Sequence, residues 1–399
     1  MSLPAERARV GALEAALLDR LADPVDVGSR KRASVALDVG AGNGWTFHAD
    51  HGDLLLSHGV DDTADARIMT DARTMVEILR GERSGVEAFV NGELRVRGNL
   101  ALTLRMSGTL PGAAAPVRFP RGREAAAAGG TFYLEAGEGV GGEPPVLVLH
   151  GLGATNASML TTLWDLAQDH RVIAPDLPGF GDSAKPLRSY DAPFYGAWVL
   201  ELMDELGIER AHLLGNSLGG RVAIEAALLA PDRVDRLALL TPSPAFIRRR
   251  ELARLVKLLR PELALVPLPM SHRRVVGSIK ALFARPHRLP DQWYEAAADE
   301  FLRVFSSPRG RIAFFSAARQ IYLEEPYGDL GFWDRLRSLE RPSLFVWGAR
   351  DWLVPPGFAR HVERAVPDAT SVVLADCGHV PQFELPDRTH GIVREFLAA

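Results

Sequence analysis

Three residues, spaced far apart, could together carry out nucleophilic catalysis: Ser217 in "LLGNSLGGRV", Asp351 in "LFVWGARDWLVP" and His379 in "VVLADCGHVPQFELP". A serine hydroxyl is a weak nucleophile at neutral pH. It needs a base within hydrogen-bond reach, and the base needs an acid to orient it. Gly215 and Gly219 flank the serine, and small residues there admit a sharp turn with close backbone approach. The Gly-x-Ser-x-Gly pattern is short, and a serine in such a match is usually a helix N-cap. Here the apolar run "AHLL" precedes it and "GGRVAIEAALLA" follows. That context reads strand, turn, helix, which stands the hydroxyl at the end of a sheet above a helix N-terminus. The order Ser, Asp, His is one of the chain orders such a triad takes.

In this scheme His379 takes the Ser217 proton and later returns it to the leaving group, while Asp351 fixes the imidazole tautomer and stabilises its cation. A developing oxyanion also needs donors. The backbone N–H of Leu218, the residue after the serine, is one. The N–H of Leu152 in "LVLHGLGAT" is the other. Losing one such donor costs about 10²–10³ in rate. Other candidates take quieter roles. Asp376 competes with Asp351 as the acid but reads as a turn residue at a strand end. Asp176 and Asp182 in "APDLPGFGDS" brace that turn. His48, His51, His58 and His170 lack metal-ligand spacing and belong to surface or turns. Cys377 reads as a small buried residue.

The elements around these residues are a series of short apolar strands and helices. "PVLVLHG", "RVIAPDLPG", "AHLLGNS", "RLALLTP", "PSLFVWG" and "TSVVLAD" are continuous apolar runs, as strands covered on both faces are. Helical segments such as "YGAWVLELMDELGI" lie between them, so the fold class is α/β, with a doubly wound parallel sheet. Strand ends on one side of such a sheet converge, which lets Ser217, Asp351 and His379 meet. From about 245 to 339 the pattern is helical and too long for a loop, which predicts an inserted helical cap. The Pro/Ala/Gly-rich run at 111–130 reads as a linker. Ahead of it, residues 1–110 read as a separate α+β domain. Its first helix carries Val10, Leu13, Ala16, Leu17 and Leu21. An antiparallel meander of "SVALDV", "GWTFHAD", "DLLLSHG" and "ARIMT" follows. A helix capped by Asp71, a short helix, the strand "ELRVRG" and a last helix complete it.

At 399 residues, at least two domains are expected. A net charge of −4 does not advertise nucleic-acid binding. One cysteine permits no internal disulfide and suits a reducing cytoplasm. The segment "MSLPAERARVGALEAALLDRL" lacks the layout of a signal peptide, and no run reaches the roughly 20 apolar residues of a membrane span. The expectation is a soluble cytoplasmic protein. Charge is uneven, however. Residues 246–288 hold eleven Lys and Arg (Arg248, Arg249, Arg250, Arg254, Lys257, Arg260, Arg273, Arg274, Lys280, Arg285 and Arg288) against two Glu. Such a basic amphipathic cap either lies on an anionic membrane surface or meets an anionic ligand, or else it is a solvated lid face or pairs with acids of the first domain.

Five pieces, "HGLG", "APDLPGFGDSAKP", "GNSLGGRVA", "WGARDWLVP" and "CGHVPQFELP", occur in the order of the α/β-hydrolase superfamily, which residues 131–399 resemble. The resemblance implies a Ser217–His379–Asp351 triad, a structural His150, and a carboxylesterase- or lipase-like hydrolase that needs no metal or organic cofactor. Serine at the nucleophile position argues against the branches that use aspartate there. "GNSLGG" also resembles the branch that cleaves carbon–carbon bonds, although Val380 stands where that branch has an aromatic residue. Carbon–carbon cleavage and acyl transfer are the alternatives within the fold. Residues 10–110 resemble the sterol-carrier-protein lipid-binding family, through Trp45, "ADARIMTDARTMVEILRGE" and "AFVNGELRVRGNLAL". That resemblance implies an apolar ligand, and for the whole chain a lipid-like ester or thioester as substrate. A lipid carrier with a non-catalytic hydrolase scaffold is the reading from another class.

Overall fold

The computed structural model describes residues 9–17, 32–50, 53–100, 102–103, 121–139, 142–245 and 270–399. Short strands rich in apolar residues build the first sheet. Its strands are β1 (Ala33–Asp38), β2 (Gly44–Asp50), β3 (Asp53–His58), β4 (Ala66–Met69) and β5 (Arg95–Gly98), in the order β3-β2-β1-β4-β5. The first three form the expected antiparallel hairpins. "ARIM" does not continue that meander: β4 crosses over to pair in parallel with β1. Polar contacts pin the crossover, with the Ser34 N–H donating to Asp65 at 2.8 Å and Arg67 paired with Asp38 at 2.6 Å. The helix at 9–17, which buries Leu13 and Leu17, and the helix Ala72–Leu79 share one hydrophobic core with Val35, Leu37 and Phe47 of the sheet. Asp71 caps that second helix as expected, accepting from the Arg73 and Thr74 amides. Ser84 caps the short helix Gly85–Val90 in the same way. Leu21 and most of the last expected helix fall outside the described residues.

The second sheet has eight strands: β6 (Arg121–Ala125), β7 (Thr131–Ala136), β8 (Val146–Leu149), β9 (Val172–Pro175), β10 (Ala211–Asn216), β11 (Val234–Leu240), β12 (Ser343–Gly348) and β13 (Thr370–Leu374). Their order is β13-β12-β11-β10-β8-β9-β7-β6. The six apolar runs become the six parallel strands, and β8, β10 and β12 are buried throughout. Two antiparallel strands at one edge make the sheet mixed. The linker expected at 111–130 is therefore corrected: 121–125 is the edge strand β6, and a turn of 3₁₀ helix follows at Ala127–Gly129. Edge strands need only one apolar face, so a run as polar as "RGREA" can serve. Here Arg123 pairs with Glu135 of β7 at 2.6 Å.

Between β11 and β12 the described residues hold only helices, His272–Lys280, Asp291–Ser306, Pro308–Leu323 and Phe332–Leu336 chief among them. They cover the carboxyl ends of the parallel strands. Of the basic run, Arg248 to Arg260 lie outside the described residues. Lys280 pairs with Asp291, and Arg285 and Arg288 with Asp376 in the turn after β13, not with acids of the first domain. The contact between domains has the opposite polarity: Arg97 of β5 meets Asp299 of the cap at 2.7 Å. No helix among the described residues is long and apolar enough to cross a membrane.

Candidate active site

β10 ends at Asn216 and the next helix begins at Leu218, so one residue reverses the chain. That residue is Ser217, at φ 55° and ψ −115°. A non-glycine residue held there costs roughly 1–3 kcal/mol and persists only when its surroundings over-determine it. They do. The Ser217 N–H donates to Leu240 O at 3.0 Å, and its carbonyl accepts from the amides of Arg221 and Ser243. A Cβ on Gly215 would overlap the backbone of Gly219, and one on Gly219 would overlap the Leu149 carbonyl. Both glycines are thus required by contact. The hydroxyl makes no capping bond to the helix it precedes, so the ordinary N-cap role is not the one it plays.

Asp351 lies just past β12, and His379 just past the neighbouring β13. Asp351 Oδ1 accepts from the amides of Leu353 and Val354 at 2.8 and 2.9 Å. Its Oδ2 accepts from His379 Nδ1–H at 2.7 Å. Both side chains are buried. A carboxylate at that distance places the proton on Nδ1 and leaves the Nε2 lone pair available; no hydrogen bond among the described residues occupies Nε2. The other aspartate, Asp376, turns to Arg285, Arg288 and Arg350 at 3.3–3.5 Å, and Arg285 above all holds its carboxyl below the usual range.

Ser217, His379 and Leu152 all border one cavity of about 1770 Å³, whose walls are mostly apolar. Gly151 closes the gap to the serine, since a Cβ on it would lie 3.4 Å from Ser217 Cβ. The segment carrying the Leu152 N–H therefore runs beside Ser217, whereas the Leu218 N–H opens the helix that Ser217 precedes. His150 supports the loop from beneath: its Nδ1–H donates to Gly151 O and its Nε2 accepts from Leu177 N–H. Asp176 accepts from the Asn156 and Asp182 amides, and Asp182 pairs with Arg303 of the cap. These residues brace turns, as expected. Cys377 is fully buried and its thiol is pushed up to about 12 by burial, which keeps it a thiol. His48 reaches Ser57, His58 lies edge-on to Trp45, and His170 to His212; His51 is outside the described residues.

Buried neutral groups predict an acid response. Burial pushes His150, His212 and His390 each down to about 4, and burial pushes Asp176 up to about 7. Between pH 6.5 and 4 the unfolded chain therefore binds three protons that these folded histidines refuse. Asp176 offsets one of them, because it is protonated only when folded. Stability should fall on acidification through this window, on the order of 1–3 kcal/mol per pH unit. Urea midpoints measured from pH 7 to 4.5 check this, and a flat or rising profile would contradict it.

Sequence reasoning missed three residues around the histidine. Asn216 Nδ2 donates to His379 O (3.2 Å), Leu240 O and Thr241 Oγ1. Thr241, itself at φ 43°, donates its hydroxyl to His379 O at 2.9 Å. Glu384, buried, accepts from the amides of Gly378, Ala284 and Arg285, tying the histidine loop to the cap. The His379 amide donates to Leu282 O of the cap at 2.7 Å. Asn216 and Thr241 stand at the carboxyl ends of β10 and β11, and that position was the available signal.

The family described as alpha/beta hydrolase fold matches residues 144–386, and the SCP-2 sterol transfer family matches residues 16–111. Among curated proteins, the chain is 32% identical over 276 residues to the dihydrolipoyllysine-residue acetyltransferase component of the acetoin cleaving system of Cupriavidus necator. That match covers 64% of this chain and 64% of the relative, so the chain spans under two thirds of that relative's length. It is 31% identical over 266 residues to the pimeloyl-[acyl-carrier protein] methyl ester esterase of Aeromonas salmonicida, covering 65% of this chain and 98% of the relative. Among solved structures, a membrane phospholipase A described as a bacterial virulence factor is 26% identical with a TM-score of 0.58, over 70% of this chain and 86% of that one. The strand order, the strained serine turn and the family match over 144–386 agree: the chain belongs to the α/β-hydrolase fold family and carries an SCP-2 sterol transfer domain ahead of it.

Proposed function

We propose that this protein is a serine hydrolase that cleaves an ester or thioester of an apolar, lipid-like acyl group through an acyl-enzyme. The observation that carries the reading is the Asp351–His379 hydrogen bond, at 2.7 Å, beside a strained and uncapped Ser217 that borders the same apolar cavity. Ser217 Oγ attacks the acyl carbonyl carbon while its proton passes to His379 Nε2. The N–H groups of Leu152 and Leu218 take the charge that develops on the carbonyl oxygen. Collapse breaks the bond to the leaving group, which departs with the proton from His379. Water then attacks the acyl-enzyme, again giving its proton to His379, and the acid leaves as Ser217 recovers its hydrogen. Asp351 keeps the imidazole oriented through both halves.

The cavity favours a lipid-like acyl group because Phe301, Phe305, Phe314, Phe315 and Ile321 line it. Burial of such a chain gains about 25 cal/mol per Å² of apolar surface. The relative that is a methyl ester esterase supports ester chemistry. The SCP-2 match supports an apolar ligand on the N-terminal side. A fluorophosphonate tests the reading directly. It should add one phosphonyl group to Ser217 in the wild type and none in His379→Ala over the same time. Equal labelling of both proteins, or labelling elsewhere only, would defeat the hydrolase reading and favour a lipid carrier with an inert scaffold.

A further inference from the structure

The cavity at Ser217 is not made by the hydrolase domain alone. Phe89 and Leu100, both in the N-terminal domain, line it together with cap and hydrolase residues. Three kinds of contact make this wall continuous. The first is a run of rings: Phe89 stacks on Trp293 of the cap with centroids 5.1 Å apart, and Trp293 meets Phe383 edge-on at 4.6 Å. Phe383 lies four residues after His379. The second is a buried carboxylate. Glu300 accepts from the Leu100 amide at 2.6 Å, pairs with Arg303 at 2.8 Å and accepts from the Thr155 hydroxyl at 3.4 Å. Thr155 belongs to the loop that begins at Gly151 beside the serine, and Thr155, Ala157 and Ser158 all line the cavity. The third is a polar clamp between the two domains. Asp299 takes Arg97 at 2.7 Å and the Gly98 amide at 3.0 Å. A loose tether between two independent modules would not place a buried, shared carboxylate at their junction, because an unpartnered charge there is costly.

We propose that the two domains form one acyl-binding cavity, in which Phe89 and Leu100 of the N-terminal domain supply wall for the distal part of a long acyl chain whose carbonyl is at Ser217. The N-terminal domain is then a specificity element of the enzyme rather than a separate carrier. This rests on the hydrolase reading above. It extends that reading by assigning long-chain preference to residues of the other domain. The cavity exceeds the roughly 300–1,000 Å³ of ordinary small-ligand pockets, as a site for a long chain should. Phe89 and Leu100 are apolar and buried, so they recognise the chain by contact and not by charge.

Two measurements test it. The first uses the wild-type protein and a hexadecyl fluorophosphonate with a diazirine at the end of its chain. After reaction at Ser217 and irradiation, cross-links should appear on peptides carrying Phe89 or Leu100. Labelled Ser217 with cross-links confined to residues 142–399 would overturn the inference and leave the hydrolase reading standing. No reaction at Ser217 would instead overturn the hydrolase reading, and the inference with it. The second compares p-nitrophenyl palmitate with p-nitrophenyl butyrate in wild type and Leu100→Trp. Filling the wall should lower the palmitate-to-butyrate ratio of kcat/KM about tenfold or more. An unchanged ratio in a folded variant overturns the inference. Should Leu100→Trp not fold, Phe89→Leu enlarges the same wall and should raise the ratio; no change there is equally adverse.

Discussion

Ser217→Ala should lower ester turnover by a factor on the order of 10⁵–10⁶ in kcat while leaving the fold in place. The loss is large because alanine leaves no hydroxyl at this position for His379 to activate, and a thiol does not replace it. The one cysteine, Cys377, is buried with its thiol pushed up to about 12. A residual rate should survive, since the Leu152 and Leu218 amides would still polarise a bound carbonyl. Stability should move by less than about 1 kcal/mol, because the hydroxyl makes no capping bond and alanine meets the same backbone strain as serine. The measurement is p-nitrophenyl ester hydrolysis with matched thermal melts. Turnover above about 1% of wild type in a well-folded variant would remove Ser217 from the mechanism.

The serine could be singled out from sequence because its surroundings are written locally. An apolar strand, two glycines and a helix lie in one stretch, and burial on both faces makes the strand a continuous apolar run. Asp351 and His379 were legible for the same reason, each following such a run. Features that depend on pairing across the chain were not. β4 has the alternation of a meander strand, yet alternation does not say which neighbour it joins, and it joins β1 in parallel. β6 hid in a Pro/Ala/Gly-rich segment because an edge strand needs little apolar character. Asn216 sits inside the quoted serine motif, but its bond to the His379 carbonyl spans 163 positions and exists only once the sheet is built. The joint between the domains was invisible for a related reason: Glu300 looks like an ordinary helix carboxylate until the Leu100 amide is placed against it.

Asp351→Asn should lower kcat about 10⁴-fold, against little change for Asp376→Asn. The asparagine is nearly isosteric, so its Oδ1 can still accept from the Leu353 and Val354 amides and the turn should hold. The other terminus changes sense, because an amide NH₂ now faces Nδ1 where a carboxylate oxygen accepted a proton at 2.7 Å. That donor favours the imidazole tautomer with its proton on Nε2, which leaves no lone pair there to receive the proton of Ser217. The charge that would stabilise the imidazolium is lost as well. Asp376 is the internal control. It is closer to His379 in sequence, but its partners are Arg285, Arg288 and Arg350, at the surface where such pairs contribute little. Steady-state kinetics and melting curves on the two variants separate the possibilities. Equal losses would mean that the acid is not assigned by its hydrogen bond. A loss confined to Asp376→Asn would transfer the role to the cap-facing turn and make cap docking, rather than imidazole orientation, the step that limits the enzyme.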